Sequence, residues 1–153
     1  MYTNAEKQKI EQVIAVFQDY IHTAQNLYGQ PSCEIIWSDK IECYVLLLNY
    51  SMTETINEKD LFSIPIHSAE ELYAELIYEL AHEVYAKYNF AELHPEEISA
   101  ETMQQAQTKI VEYLAPYLQA LPEYQELAMQ TIIKQGKIYM SSDLTLYEII
   151  EFL

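Results

Sequence analysis

The chain has 153 residues, half of them apolar and 21% charged, which is the composition of one ordinary globular core and not of a disordered segment. Its 24 acidic residues against 8 lysines give a formal net charge of −16, and it contains no arginine. Such a balance repels nucleic-acid phosphates and anionic lipid heads, so direct nucleic-acid and membrane-surface binding are excluded as expectations, and encounter with a basic protein is favoured. The two cysteines, Cys33 and Cys43, and the absence of an apolar stretch at the start of the chain point to the cytoplasm. The longest apolar run is Tyr44-Val45-Leu46-Leu47-Leu48, far short of the ~18 residues of a membrane span.

From Asn4 to about Tyr28, Ile10, Val13, Ile14, Phe17, Tyr20, Ile21, Ala24 and Leu27 recur at the spacing of one helix face. This predicts one long amphipathic helix, with Gly29 as its left-handed stop and Pro31 barring continuation. β-Branched and aromatic residues then predict a hairpin, Cys33–Trp37 and Ile41–Leu48 flanking Ser38-Asp39-Lys40. A two-residue loop would put Cys33 and Cys43 on opposite faces and forbid a disulfide; a three-residue loop would reverse this. Residues 61–66 suit a third, edge strand, because Pro65 cannot donate to a ladder.

Ser68-Ala69-Glu70-Glu71 matches a capping box and starts a second helix through Leu72, Leu76, Ile77, Leu80 and Val84 to about Lys87, with Asn89 as its left-handed end. A third helix begins at Pro95 or Ser99 and is kinked or broken at Pro116. Pro122 opens a fourth that Gly136 ends at Ile133. Lys137–Met140 suits a short strand, and Ser142 or Asp143 caps a last helix holding Leu146, Ile149, Ile150 and Leu153. The expected fold is therefore α+β: one helix-dominated domain over residues 1–153, with a small antiparallel hairpin or three-stranded sheet between the first and second helices.

Gly29 and Gly136 are isolated, so neither a phosphate-binding loop nor a dinucleotide turn can be built, and no cofactor is expected. No nucleophile elbow, Cys-x-x-Cys pair, zinc-protease helix or EF-hand loop is present, and no catalytic residue is assigned. The sharpest local pattern is Glu71, Glu75, Glu79 and Glu83, four glutamates at i, i+4 steps of ~6 Å along the second helix. Tyr78 and His82 lie beside them. Like charges so spaced repel, and a cationic partner would relieve the repulsion; the alternative is the solvated face of an ordinary amphipathic helix. Glu79 and His82 have the Glu-x-x-His spacing of carboxylate-bridged di-iron sites, but the second copy those sites require is missing, so no metal is assigned. His22, His67 and His94 suit local structural roles.

The 14 tyrosines suit interfaces or the rim of a core. These features together lead to a non-catalytic binding protein, of inhibitor, immunity or nucleic-acid-mimic type, that engages a basic partner through Glu71, Glu75, Tyr78, Glu79, His82 and Glu83. A small metal-assisted hydrolase and an oligomeric structural subunit are the competing readings.

Overall fold

A computed structural model describes residues 2–26, 28–51, 53–87 and 99–140. Among them are five α-helices and one three-stranded antiparallel sheet: α1 (Asn4–Val16), α2 (Gln18–Thr23), β1 (Cys33–Ser38), β2 (Cys43–Asn49), β3 (Leu61–Pro65), α3 (Ala69–Lys87), α4 (Ala100–Ala120) and α5 (Gln125–Met140). The fold is α+β and dominated by helices, with the sheet between α2 and α3. The chain groups into two compact units, Met1–Leu72 and Tyr73–Leu153.

In the first unit, the single long helix expected over residues 4–28 is two helices that end at Thr23. Phe17, fully buried, sits at the joint with φ −95° and ψ 8°. Beyond Thr23, the Asn26 carboxamide oxygen accepts from the backbone N–H groups of Tyr28 and Gln30 at 2.9 and 3.0 Å. An asparagine side chain that captures nearby donors offers the backbone a turn in place of a helix. Gly29 does adopt φ +72°, in this turn and not at a helix end.

The hairpin forms with a four-residue loop, Asp39–Glu42, and pairs Ser38 with Cys43 and Cys33 with Leu48. Four residues preserve the parity of two. Cys33 and Cys43 therefore face opposite sides of the sheet, and neither is in a disulfide. β3 joins β2 as an edge strand, in the order β1-β2-β3. The inner face carries Cys33, Leu46 and Leu48, which are buried, as are Ile10 and Val13 of α1 and Phe17 at the joint with α2. Tyr2 closes the far end of the sheet: its hydroxyl accepts from the Tyr44 N–H at 3.0 Å and donates to the Ile66 carbonyl. Its ring lies near Tyr44 and Trp37, the latter under the Lys7 ammonium at 4.7 Å. Replacing Tyr2 by Phe removes both bonds, and we expect a loss of about 1–2 kcal/mol, read as a lower midpoint in urea unfolding at unchanged slope.

The second unit holds the larger part of α3 with α4 and α5. Its buried side chains include Tyr73, Leu76, Ile77, Leu80, Ala81, Val84 and Tyr85 of α3, with Met103, Ala106, Ile110 and Leu114 of α4 and Ala128 and Ile132 of α5. Pro116 does not break α4, which continues to Ala120. Pro116 is solvent-exposed, so water can take the carbonyl that loses its donor.

Gly136 does not end α5, and Lys137–Met140 is helix, not strand. A Cβ at Gly136 would lie 2.8 Å from the Tyr85 hydroxyl, 2.9 Å from the Gln107 amide nitrogen and 3.1 Å from the Met103 sulfur. This glycine therefore permits a close approach inside the unit. The expected helix end at Asn89, the start at Pro95, His94 and the last helix over 143–153 lie outside the described residues.

Candidate functional site

The N-terminus of α3 is built as its sequence requires. The Ser68 hydroxyl accepts from the Glu71 N–H at 3.1 Å, and the Glu71 carboxylate reaches back to the His67 N–H at 3.2 Å. The Glu6 carboxylate takes the Ala69 N–H at 2.7 Å. Two negative groups at a helix N-terminus meet both its unsatisfied donors and its positive dipole end. Glu71 is thus committed to the cap and offers a partner little.

Farther along α3, in the second unit, Glu75, Tyr78, Glu79 and His82 fall within an arc of about 100° at the ideal helical step. Glu75, Tyr78 and Glu79 are half-buried and His82 is exposed, so the stripe is not an open solvated face. Glu83 has drifted off this arc toward α4, where its carboxylate accepts from the Tyr113 hydroxyl at 3.3 Å. On the other flank, buried Gln135 of α5 donates its amide to the Tyr78 carbonyl at 3.2 Å. The six residues expected to act together therefore divide: Glu71 caps α3 and Glu83 bonds across to α4, while Glu75, Tyr78, Glu79 and His82 share one side of the helix, half-buried except at His82.

Local electrostatics are consistent with a negative patch. Burial raises the Tyr78 hydroxyl above its ordinary value, and the charges of Glu79 and Glu75 raise it further. Although His82 is exposed, partial desolvation sets its imidazole below the usual value, against the opposing pull of Glu83. That shift favours the neutral imidazole, which offsets the carboxylates less than a protonated one would. Among the described residues, no three His, Cys, Asp or Glu side chains gather closely enough to hold a metal ion.

A second feature lies in the first unit. The outer face of the sheet carries a groove of about 320 Å³ lined chiefly by Pro31, Glu34, Leu47, Ile56, Leu61 and Ser63. Register places Glu34, Leu47 and Ser63 in one row across the three strands. The groove wall is pinned from Gln30, whose amide nitrogen donates to the carbonyls of Thr53 and Glu54, and from Ser51, whose hydroxyl accepts from the Asn57 N–H. Leu61 and Ile56 stand 44% and 53% exposed on it, more than isolated core residues would be. Sequence reasoning found the strands but not this groove. Its one local signal was β3 itself, an edge strand with no charged residue in Leu61–Pro65.

No family model, curated protein or solved structure matches the chain.

Proposed function

We propose that this chain is a non-catalytic acidic binding protein that engages a basic protein partner, in the manner of an inhibitor, an immunity protein or a nucleic-acid mimic. The observation that carries the reading is a count. Pairing every one of the 8 lysines with a carboxylate would leave 24 − 8 = 16 acidic groups, with no arginine to meet them. One ion pair, Lys109 to Glu112 at 3.3 Å, joins neighbours on one exposed helix face and contributes little. Compensation for this charge has to come from ions or from a cationic partner, and complementary charge speeds such encounters.

Glu75 and Glu79, one helical turn apart beside Tyr78, supply carboxylates next to an aromatic body, a combination suited to lysine and arginine side chains. Two cysteines outside any disulfide accord with a reducing compartment, and we place the protein in the cytoplasm. No described helix is long and apolar enough to cross a membrane.

Affinity capture from the native host lysate tests the reading, with the wild-type chain and a Glu75→Lys, Glu79→Lys variant as baits. The wild type is expected to retain a basic protein that salt elutes, and the variant to lose it at little change in melting temperature. Retention by both baits that is insensitive to salt would refute the proposal.

A further inference from the structure

Among the described residues, β3 is hydrogen-bonded to a neighbouring strand on one side only. Its pairing pattern shows which groups the other side offers. The Ile66 N–H donates to the Tyr44 carbonyl and the Tyr50 N–H to the Asp60 carbonyl, so Phe62, Ile64 and Ile66 turn their backbone groups toward β2. Leu61, Ser63 and Pro65 turn theirs outward. The Leu61 N–H is taken by the Glu58 carbonyl of the preceding 3-10 turn, and Pro65 has none. The open edge thus presents one donor, the Ser63 N–H, and three acceptors, the carbonyls of Leu61, Ser63 and Pro65.

An exposed strand edge is normally protected by a charge on the strand, by a bulge or by a covering segment. Among the described residues the one such device is Pro65, at the end of the strand. The residues along the edge are uncharged, Leu61 and Phe62 are 44% and 50% exposed, and the groove opens beside them. Ser63 is the smallest side chain of β3 and leaves the groove open above Leu47. At the groove's far side stands Glu34, an exposed carboxylate in a row completed by Leu47 and Ser63.

We infer that β3 and the adjoining groove accept an extended, cationic segment of the partner protein as a fourth antiparallel strand, with a lysine or arginine opposite Ser63. The inference rests on the reading of the chain as a binder of a basic protein. Paired at Ser63, the incoming strand exchanges two backbone hydrogen bonds there and donates to the flanking Leu61 and Pro65 carbonyls. Its side chain opposite Ser63 lies in the Glu34–Leu47–Ser63 row, about 14 Å from the Glu34 backbone at three strand spacings. A lysine or arginine spans that distance together with the glutamate, laying its methylene stem over Leu47 and bringing its head to the carboxylate. An acidic side chain in the same place meets Glu34 without compensation. An acceptor-rich edge and a lone carboxylate at the end of an apolar trough thus specify the same ligand: extended, apolar in its stems and positive at its tips.

The test uses the full chain and a nine-residue peptide of alternating valine and lysine, with a valine–glutamate peptide as control. Binding is followed by backbone amide resonances and by hydrogen exchange at Ser63. The lysine peptide is expected to bind, to slow exchange of the Ser63 amide and to bind at least about tenfold more tightly than the glutamate peptide.

Ser63→Pro removes the single edge donor where an edge strand tolerates proline, and is expected to weaken binding about tenfold while its circular dichroism stays native. Glu34→Lys, at an exposed site, is expected to weaken the lysine peptide several-fold and to strengthen the glutamate peptide. Glu75→Lys with Glu79→Lys makes the whole chain less negative, and is expected to weaken the lysine peptide less than Glu34→Lys does and to leave the slowed exchange of the Ser63 amide in place.

Binding that survives Ser63→Pro and Glu34→Lys but is lost in the α3 variant would overturn the strand-addition inference and leave the basic-partner reading standing. No binding of the lysine peptide at millimolar concentration would overturn the inference alone, since lysate capture judges the broader reading separately. Self-association abolished by Ser63→Pro would overturn it in favour of a second copy as the occupant.

Discussion

Raising the pH from 10 to 12 is expected to unfold the second unit, with ionisation of Tyr73 and Tyr85 as the cause. Both side chains are fully buried, and burial pushes each hydroxyl up to about 12. At Tyr73 the charge of Glu123 adds to the effect; at Tyr85 a hydrogen bond with Gln107 opposes it. In the unfolded chain both ionise near pH 10. The native state therefore holds these protons where the unfolded state releases them, and stability falls as pH rises through that interval.

Each group contributes about 1.4 kcal/mol per pH unit, so the pair removes on the order of 5 kcal/mol by pH 12, a large share of the 5–15 kcal/mol typical of a domain. Below pH 10 this contribution is fully present. Absorbance of tyrosinate and far-ultraviolet circular dichroism, recorded together, are expected to show part of the tyrosine signal rising in step with helix loss. Tyr85→Phe, which keeps the ring and removes one ionisable group, is expected to shift that step to higher pH. Titration of every tyrosine near pH 10 with helicity intact would show that these two hydroxyls are not sequestered.

The second large effect concerns Gly136. In the middle of a helix, alanine is ordinarily better than glycine by about 1 kcal/mol. Here the added Cβ would meet the Tyr85 hydroxyl at 2.8 Å, and that hydroxyl is fixed by its 2.9 Å bond to the Ile132 carbonyl. Gln107 and Met103 reach the site with the ends of flexible side chains and can retreat, whereas a tyrosine ring cannot bend away. Overpacking of this kind costs about 1–3 kcal/mol.

Gly136→Ala is therefore expected to be destabilising by up to about 2 kcal/mol net, lowering the melting temperature by up to roughly 8 °C. In a Tyr85→Phe background the obstacle is gone, and the same substitution is expected to be neutral or stabilising. A double-mutant cycle reads the difference as coupling between the two sites. Additive effects would mean that Gly136 serves its helix alone.

Gly136 also marks the limit of what the chain declares about itself. A glycine that ends a helix and a glycine that admits a neighbouring tyrosine look alike along the sequence, and the second role is visible only once Tyr85, 51 positions earlier, is brought beside it. Local signals were reliable where the physics is local. Ser68 and Glu71 form their cap from four consecutive residues and Pro65 marks the edge strand, whereas the faces of Cys33 and Cys43 hang on a loop length that the hairpin register fixes and the sequence leaves open. The helix over residues 4–28 was overextended because its apolar period continues past the point where Asn26 takes the backbone donors for a turn.

The candidate site divides in the same way. The i, i+4 spacing of the glutamates on α3 was legible, but the assignment of each was not. Glu71 is drawn off by His67 and Glu83 by Tyr113, the latter 30 residues away. The groove beside β3 depends on a register that aligns Glu34, Leu47 and Ser63 from three strands, and on Gln30 pinning residues 53 and 54. None of these pairings is encoded by spacing.

We propose that uncompensated negative charge recruits a basic protein. The most direct measurement is the association rate of the captured partner with the wild-type chain as a function of sodium chloride concentration. Electrostatic steering requires that rate to fall steeply as salt rises through the physiological range, and to fall further at every salt concentration in the Glu75→Lys, Glu79→Lys variant. An association rate independent of both salt and charge reversal would contradict the account.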